Sequence, residues 1–228
     1  MSTKADNVTP LADPAPAESP VCDLIREDII AGRLSPNERL KVSDLARRHG
    51  VSTSPVREAL QMLRGEGFVV LNPNRGARVR PVDESFVRNV FEVEMLIEPY
   101  LTRTFVEMVT EDQLTELDRI QSRIEDLNFA DERKHSDLDT AFHNVTYESH
   151  YNRHMFDMWQ KHREILGAIS HRYPVSLTRR KAVIEEHRAL LKAFREQDVD
   201  TACAVITRHV EGSGRHIIEQ MRMAAARG

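Results

Sequence analysis

The chain has 228 residues, with 32 Lys+Arg against 36 Asp+Glu, giving a formal net charge of −4 and a pI near 6.2. Hydrophobic residues at 40% and charged residues at 30% describe a soluble protein of one or two packed domains, and no run approaches the ~18 apolar residues of a membrane span. The start of the chain lacks the basic and apolar stretches of a secretory signal, and Cys22 and Cys203, far apart, give neither a disulfide framework nor a metal pair. The expected location is the cytoplasm.

An acidic average argues against a nucleic-acid partner only until the chain is divided at Pro81–Val82. Residues 21–82 hold eleven Lys/Arg and seven Asp/Glu, a net of +4, whereas residues 83–228 hold twenty and twenty-six, a net of −6. Nine of the ten histidines lie beyond residue 130. A basic module joined to a larger acidic, His-rich one suggests polyanion binding on one side and a separate task on the other.

In chain order, residues 1–20 read as a disordered arm, with Pro10, Pro14, Pro16 and Pro20 among small and acidic residues. Val21, Leu24, Ile25, Ile29 and Ile30 then keep one apolar face of a helix that stops at Gly32. Ser43 is the expected cap of a short helix over Asp44–His49, ended by Gly50. Ser52 or Ser54 caps the next, Pro55–Arg64, with Pro55 in the first turn, where a missing N–H costs little. Phe68–Leu71 and Ala77–Arg80, around Asn72-Pro73-Asn74-Arg75-Gly76, predict a two-stranded hairpin. From Asp83 onward the period is helical throughout, with spans near 83–108, 111–128, 132–149, 152–172, 176–196 and 199–225 and caps at Thr110, Ser176 and Asp198. Six such helices with short joints predict an antiparallel bundle over residues 83–228.

Three helices and a two-stranded wing over 21–82 make a winged helix-turn-helix, so the fold class is mostly α. The second helix of the motif enters the major groove N-terminus first, which puts Thr53, Ser54 and Arg57 toward the bases. Arg75 and Gly76 stand at the wing tip, and Arg47, Arg48 and Arg78 are placed to neutralise phosphates. Pattern alone leaves a small helical module with solvated arginines as the competing reading.

Leu45-Ala46, Gly50-Val51-Ser52-Thr53-Ser54-Pro55-Val56-Arg57-Glu58-Ala59-Leu60, Leu63, Glu66-Gly67-Phe68 and Arg75-Gly76-Ala77-Arg78-Val79 together resemble the DNA-binding domain of the GntR family of bacterial transcription regulators. The resemblance implies that Arg57 contacts DNA and that Gly76 lies close to the minor groove. Thr53 departs from the pattern, since that position is commonly a DNA-touching Arg. Affinity is then expected to rest more on Arg57, Arg75 and the outer arginines, or the operator preference to differ.

In the acidic half, Asp139 and His143 are four apart and share a helix face, while His187 and His209 fall on the fifth and sixth helices of the bundle. An antiparallel bundle can bring the four together, and such ligands suit Zn²⁺, Ni²⁺, Mn²⁺ or Fe²⁺ with positions left open. Spacing alone equally describes a pair of solvated surface residues. Asp139-Thr140-Ala141-Phe142-His143 with Asn152, then Glu186-His187-Arg188-Ala189-Leu190-Leu191-Lys192-Ala193, Asp198, Ala202 and His209, resemble the FCD effector-binding domain of the FadR-type subgroup of GntR regulators. Six helices point to its VanR-like branch.

That resemblance implies that Asp139, His143, His187 and His209 ligate a divalent transition metal, zinc before nickel, manganese or iron, which helps to hold a small carboxylate effector. Glu94, Asn152 and His216 are the further candidates for the effector pocket. Glu94 stands where relatives often carry an Arg, so a ligand bearing an amine or hydroxyl competes with the usual organic acid. Arg179-Arg180-Lys181 reads as a solvated first turn, with an inward Arg as the alternative, and Trp159 as core or pocket wall. His135, His150, His154, His162 and His171 share no spacing and read as surface or packing residues.

The expected function is a homodimeric repressor of near-palindromic operator DNA, controlled by a metabolite at a metal centre and with no membrane partner. A regulator for which the metal is itself the signal is the alternative. An enzyme ranks below both, because no general base other than Glu148 or Glu186 lies near the motif.

Overall fold

Apolar residues recurring at three and four bury one side of each N-terminal helix. In the computed structural model, which describes residues 20–72, 76–127, 130–170, 173 and 175–226, α1 (Pro20–Ile30) turns Val21, Cys22, Ile25 and Ile29 inward. It packs against α3 (Thr53–Gly65), which contributes Val56, Ala59, Leu60 and Leu63. The arm expected over 1–20 (Pro20 apart), the wing-tip Arg75, and His171 lie outside the described residues.

Between those helices, α2 (Val42–His49) ends on Gly50, whose left-handed backbone, φ 67°, redirects the chain after the Gly50 N–H has bonded back to Ala46. Residues other than Gly adopt this conformation at a cost, so the corner that sets α3 across α2 depends on a glycine there. Ser43, the expected cap, sits inside α2, and Lys41 occupies the N-cap position with no side-chain bond.

The hairpin forms from β2 (Val69–Asn72) and β3 (Gly76–Val79), antiparallel, with Val69 opposite Val79 and Leu71 opposite Ala77. A third strand escaped the sequence reading: β1 (Arg39–Leu40) pairs with β3, giving the order β1-β3-β2. Two residues are too few to display an alternating period, and only the buried Leu40 marks them.

Beyond Asp83 come the six expected helices: α4 (Glu84–Met108), α5 (Glu111–Asp126), α6 (Glu132–Tyr147), α7 (Arg153–Ser170), α8 (Leu177–Arg195) and α9 (Val199–Ala225). Each of the three expected caps accepts a bond from the backbone three residues on: Thr110 from Gln113, Ser176 from Arg179 and Asp198 from Thr201. Helix α9 lies along both α4 and α8, while α5 packs on α6 and α8. Leu117, Ile124, Phe142, Leu190, Phe194 and Val205 fill the centre. A second cluster of Ile97, Leu101, Tyr147, Phe156 and Trp159 closes the α4–α7 side, and Trp159 is at once part of this core and of the wall of a neighbouring cleft.

Thr110 and Gln113 form a reciprocal capping box, each side chain accepting from the other's backbone N–H. Thr110→Ala is therefore expected to lower stability by about 1 kcal/mol. Ser43→Ala, inside an exposed first turn, should shift it by no more than about 0.5 kcal/mol. Urea unfolding of the two variants separates a real cap from an apparent one.

Candidate metal centre and nucleic-acid interface

Asp139 and His143 on α6, His187 on α8 and His209 on α9 each offer one ligand atom, and all four atoms lie within 4.8 Å of one another. Nε2 of His143 is 3.3 Å from Nε2 of His209, and Nε2 of His187 is 3.4 Å from Asp139 Oδ1. Every histidine of the set is buried.

What stands behind two of the rings fixes which nitrogen faces the cluster. His209 Nδ1 lies 2.9 Å from Glu186 Oε2, and His187 Nδ1 lies 2.9 Å from Gln121 Oε1. Gln121 is itself oriented, since its amide nitrogen donates to Glu125, whose two oxygens are held by Arg188. Because these oxygens only accept, the Nδ1 atoms carry the protons and the Nε2 lone pairs turn inward. Phe142 stacks on the His187 ring at 4.2 Å, nearly parallel, and fixes its plane. Behind His143 the Glu98 carboxyl lies 3.7 Å from Nδ1, and Tyr147 donates to that carboxyl.

The electrostatics favour neutral imidazoles at His143 and His187 beside an ionised carboxylate. Burial drives His143 well below the ordinary histidine range, against the pull of Asp139, and drives His187 down to about 3. Burial alone would raise Asp139, yet the Arg163 guanidinium, 2.5 Å from Oδ2, holds it well below the usual carboxylate range. Burial and then Glu94 push Glu98 up to about 8, against Arg163 and the Tyr147 hydroxyl.

Two inward lone pairs, on His187 and His209, with the His143 ring and one carboxylate beside them, suit a divalent cation. The buried His187 Nε2 has no hydrogen-bond partner, an omission that is costly unless something else occupies the lone pair. Zn–N bonds of about 2.0–2.1 Å set neighbouring nitrogens roughly 3–3.4 Å apart, the separation found for His143 and His209. The residues fit a metal of the borderline class, held by imidazole and carboxylate.

A cavity of about 150 Å³ opens on the Asp139 side. Arg163, Arg179, Arg180 and His216 line it together with apolar Phe91, Leu166, Val183 and Ile217. Arg179 and Arg180 are thus turned into the bundle and are not a solvated first turn. His216 is buried against the cavity, where its Nε2 accepts the Ser176 backbone N–H.

Two of the expected pocket residues lie elsewhere. Asn152 caps α7, its side-chain oxygen accepting the Met155 N–H, and is not among the cavity-lining residues. Glu94 does not line the cavity either; fully buried, it pairs with His162 Nδ1 at 2.5 Å. His162, read from spacing as surface or packing, is the partner that makes a carboxylate tolerable there.

On the DNA-binding side, Thr53, Ser54 and Arg57 stand exposed on the first turns of α3, and Gly76 is exposed at the start of β3 with φ 75°. Arg47 pairs with Asp44, Arg48 leans toward the buried Asp28 at 3.3 Å, and Arg78 donates to Asn37 O. Arg39 on β1 lies beside Gly76 and joins this surface, unannounced by the sequence motif.

Residues 18–79 match the gntR family of bacterial regulatory proteins, and residues 89–212 match the FCD domain. The chain belongs to the GntR family of bacterial regulators, in its FCD-domain group. It is a DNA-binding transcriptional regulator and not an enzyme. Among relatives, the transcriptional repressor RspR of Escherichia coli is 24% identical over 207 residues, 89% of this chain and 90% of its own length. The regulator YdhC of Bacillus subtilis is 20% identical over 209 residues, 91% of this chain and 93% of its own. In fold, Escherichia coli McbR/YncC matches with TM-score 0.67 at 19% identity, covering 88% of this chain and 96% of that one. A metal-free FCD domain, that of TM0439, matches with TM-score 0.52 at 18% identity, covering 63% and 99%.

Arg163 supplies the one guanidinium bonded to Asp139 among the described residues. Arg163→Ala leaves that largely covered carboxylate without its cation. The unfolding free energy of the metal-free protein should fall by about 3 kcal/mol, as read from urea titration after chelation.

Proposed function

We propose that residues 21–82 read a near-palindromic operator as a homodimer and that residues 83–228 control this binding through a small carboxylate ligand held at a metal centre. The observation that carries the proposal is the sharing of Asp139 between the four-residue cluster and a cavity lined by three arginines. Asp139, His143, His187 and His209 would hold the metal, with zinc the first choice before nickel, manganese or iron. A bound metal would supply a Lewis-acid point for a ligand oxygen.

The chain's own residues do the rest. Arg163, Arg179 and Arg180 favour an anion, and Phe91, Leu166 and Val183 favour a short apolar portion. A volume of about 150 Å³ equals that of an engineered cavity that takes benzene, so the ligand is small. Since Glu94 is matched by His162 and does not line the cavity, its charge is no objection to an acid. Arg163 also lines a cleft bounded by Arg26 of α1, which gives the sensing site a neighbour in the DNA-binding half. Control requires only that the ligand bind one operator-competent arrangement better than the other. Repression agrees with the names of several relatives.

The same reading supports a dimer face on α4. Leu96 is 75% exposed and Tyr151 72% exposed, and Tyr100, one turn after Leu96, bonds the Tyr151 hydroxyl at 2.5 Å. Such an apolar patch suits a two-fold contact. Leu96→Glu should yield monomer in light scattering; an unchanged dimer places the contact elsewhere.

Operator binding, titrated with zinc and then with small carboxylic acids, tests the whole. Arg57→Ala should weaken operator binding by about 1–3 kcal/mol with metal content unchanged, and His187→Ala should lower bound metal by elemental analysis with the fold retained. If zinc alone switches operator binding and no acid adds to it, the metal is the signal and the organic ligand is discarded.

A further inference from the structure

Helix α9 carries two glycines at its middle, Gly212 and Gly214, where each costs roughly 1 kcal/mol relative to alanine. Gly214 faces Phe91, whose ring atoms would lie 2.7 Å from an added Cβ. The one at 212 has a different neighbour. A Cβ there would stand 2.7 Å from Arg179 Nη1 and 3.1 Å from its Cζ, so the missing side chain is the seat of a guanidinium.

That guanidinium is tightly engaged. Nη2 donates to the His209 carbonyl at 2.7 Å and to Ser213 Oγ at 3.0 Å, while Nη1 donates to Glu186 Oε1 at 3.0 Å. Glu186 turns its other oxygen to His209 Nδ1 at 2.9 Å. Arg179 thus grips both ends of the same histidine, its backbone oxygen directly and its ring through Glu186. It does so from the wall of the cavity.

We infer that Arg179, seated in the notch left by Gly212, is the positioning residue that sets the His209 ring and its tautomer, and that metal affinity depends on this notch. The inference rests on the metal reading above only for its second half. Both Glu186 oxygens lie 3.0 Å from Arg179 nitrogens, and Oε2 is also 2.9 Å from His209 Nδ1. A carboxylate paired with a guanidinium in this way accepts, which keeps the proton on Nδ1 and the lone pair on Nε2. With Arg179 displaced, Glu186 loses the partner that aims it, and His209 is released to the other tautomer and other ring angles.

Gly212→Ala probes this without touching a ligand, a carboxylate or the cavity charge. The alanine favours the helix, and the atoms it meets are the far end of a flexible side chain, so the guanidinium shifts and α9 persists. Two measurements follow. Long-range ¹H–¹⁵N spectra of the metal-free protein report the His209 tautomer, and chelator competition with Zn²⁺ reports affinity. Expected are a single Nδ1–H tautomer in the wild type, mixed tautomers in Gly212→Ala and in Arg179→Ala, and a 10–100-fold weaker affinity for zinc in each. In the double variant, Gly212→Ala adds nothing to Arg179→Ala, because the atoms it displaces are gone. A wild-type tautomer in Gly212→Ala, or effects that add in the double variant, overturns the inference. If the wild type binds no zinc while the tautomer responds as described, the metal reading fails and the positioning role stands.

Discussion

Three buried imidazoles and a carboxylate meet in the middle of a helical bundle, and the bundle is arranged so that each can be there. A buried polar atom without a partner costs about as much as a packing defect. The helices that bring His143, His187 and His209 together must therefore also bring Glu98, Gln121 and Glu186 behind them. Gln121 in turn requires Glu125 and Arg188, and Glu186 requires Arg179. The polar requirement thus spreads from four residues to α4, α5, α6, α8 and α9, and it fixes the rotation of each helix about its axis more narrowly than apolar packing does. Leucine and phenylalanine can be accommodated at several rotations; a ring nitrogen 2.9 Å from one oxygen cannot.

The helices and their order were legible in the sequence because six amphipathic periods with caps leave few alternatives. The four cluster residues were reachable through spacing and family likeness together, although Asp139–His143 is the only pair that local spacing joins. Gln121, Arg163, Glu94 and Glu98 were harder to assign, although the first two left a trace. Gln121 interrupts the stripe of Leu114, Leu117, Ile120 and Ile124, and Arg163 follows Phe156 and Trp159 on the inner face of α7. A polar residue on an otherwise mostly apolar helix face must be buried with a partner, and that rule marks Gln121 and Arg163 without naming the partner. His162 gave no such trace, because its partner Glu94 is 68 residues away. The strand β1 was illegible for a simpler reason: its two residues belong to a sheet through β3 and not through any local pattern.

The same economy of shared residues shapes the DNA-binding half. Asp28, buried in α1, attracts Arg33, Arg48 and His49, so one carboxylate ties the end of α2 to α1 and holds the corner at Gly50 from behind. Arg48 is then bound on one side, in contrast to Arg57, which no ion pair engages among the described residues. A guanidinium already oriented would lose less freedom on meeting an anion than one that no ion pair holds.

Helix α9 has a length that matters beyond its ligand. Between His209 and Arg222 it runs 13 residues, about 20 Å at 1.5 Å per residue. Arg222 is bonded to Glu84, in the first turn of α4 and next to the segment that leaves the wing. A rod pivoting at His209 through about 3° displaces its far end by about 1 Å, more than the play in a 2.7 Å ion pair. The cavity wall and the start of α4 are therefore two points on one rod, so a tilt too small to see at the histidine would be enough to decide between keeping and breaking the contact at Glu84.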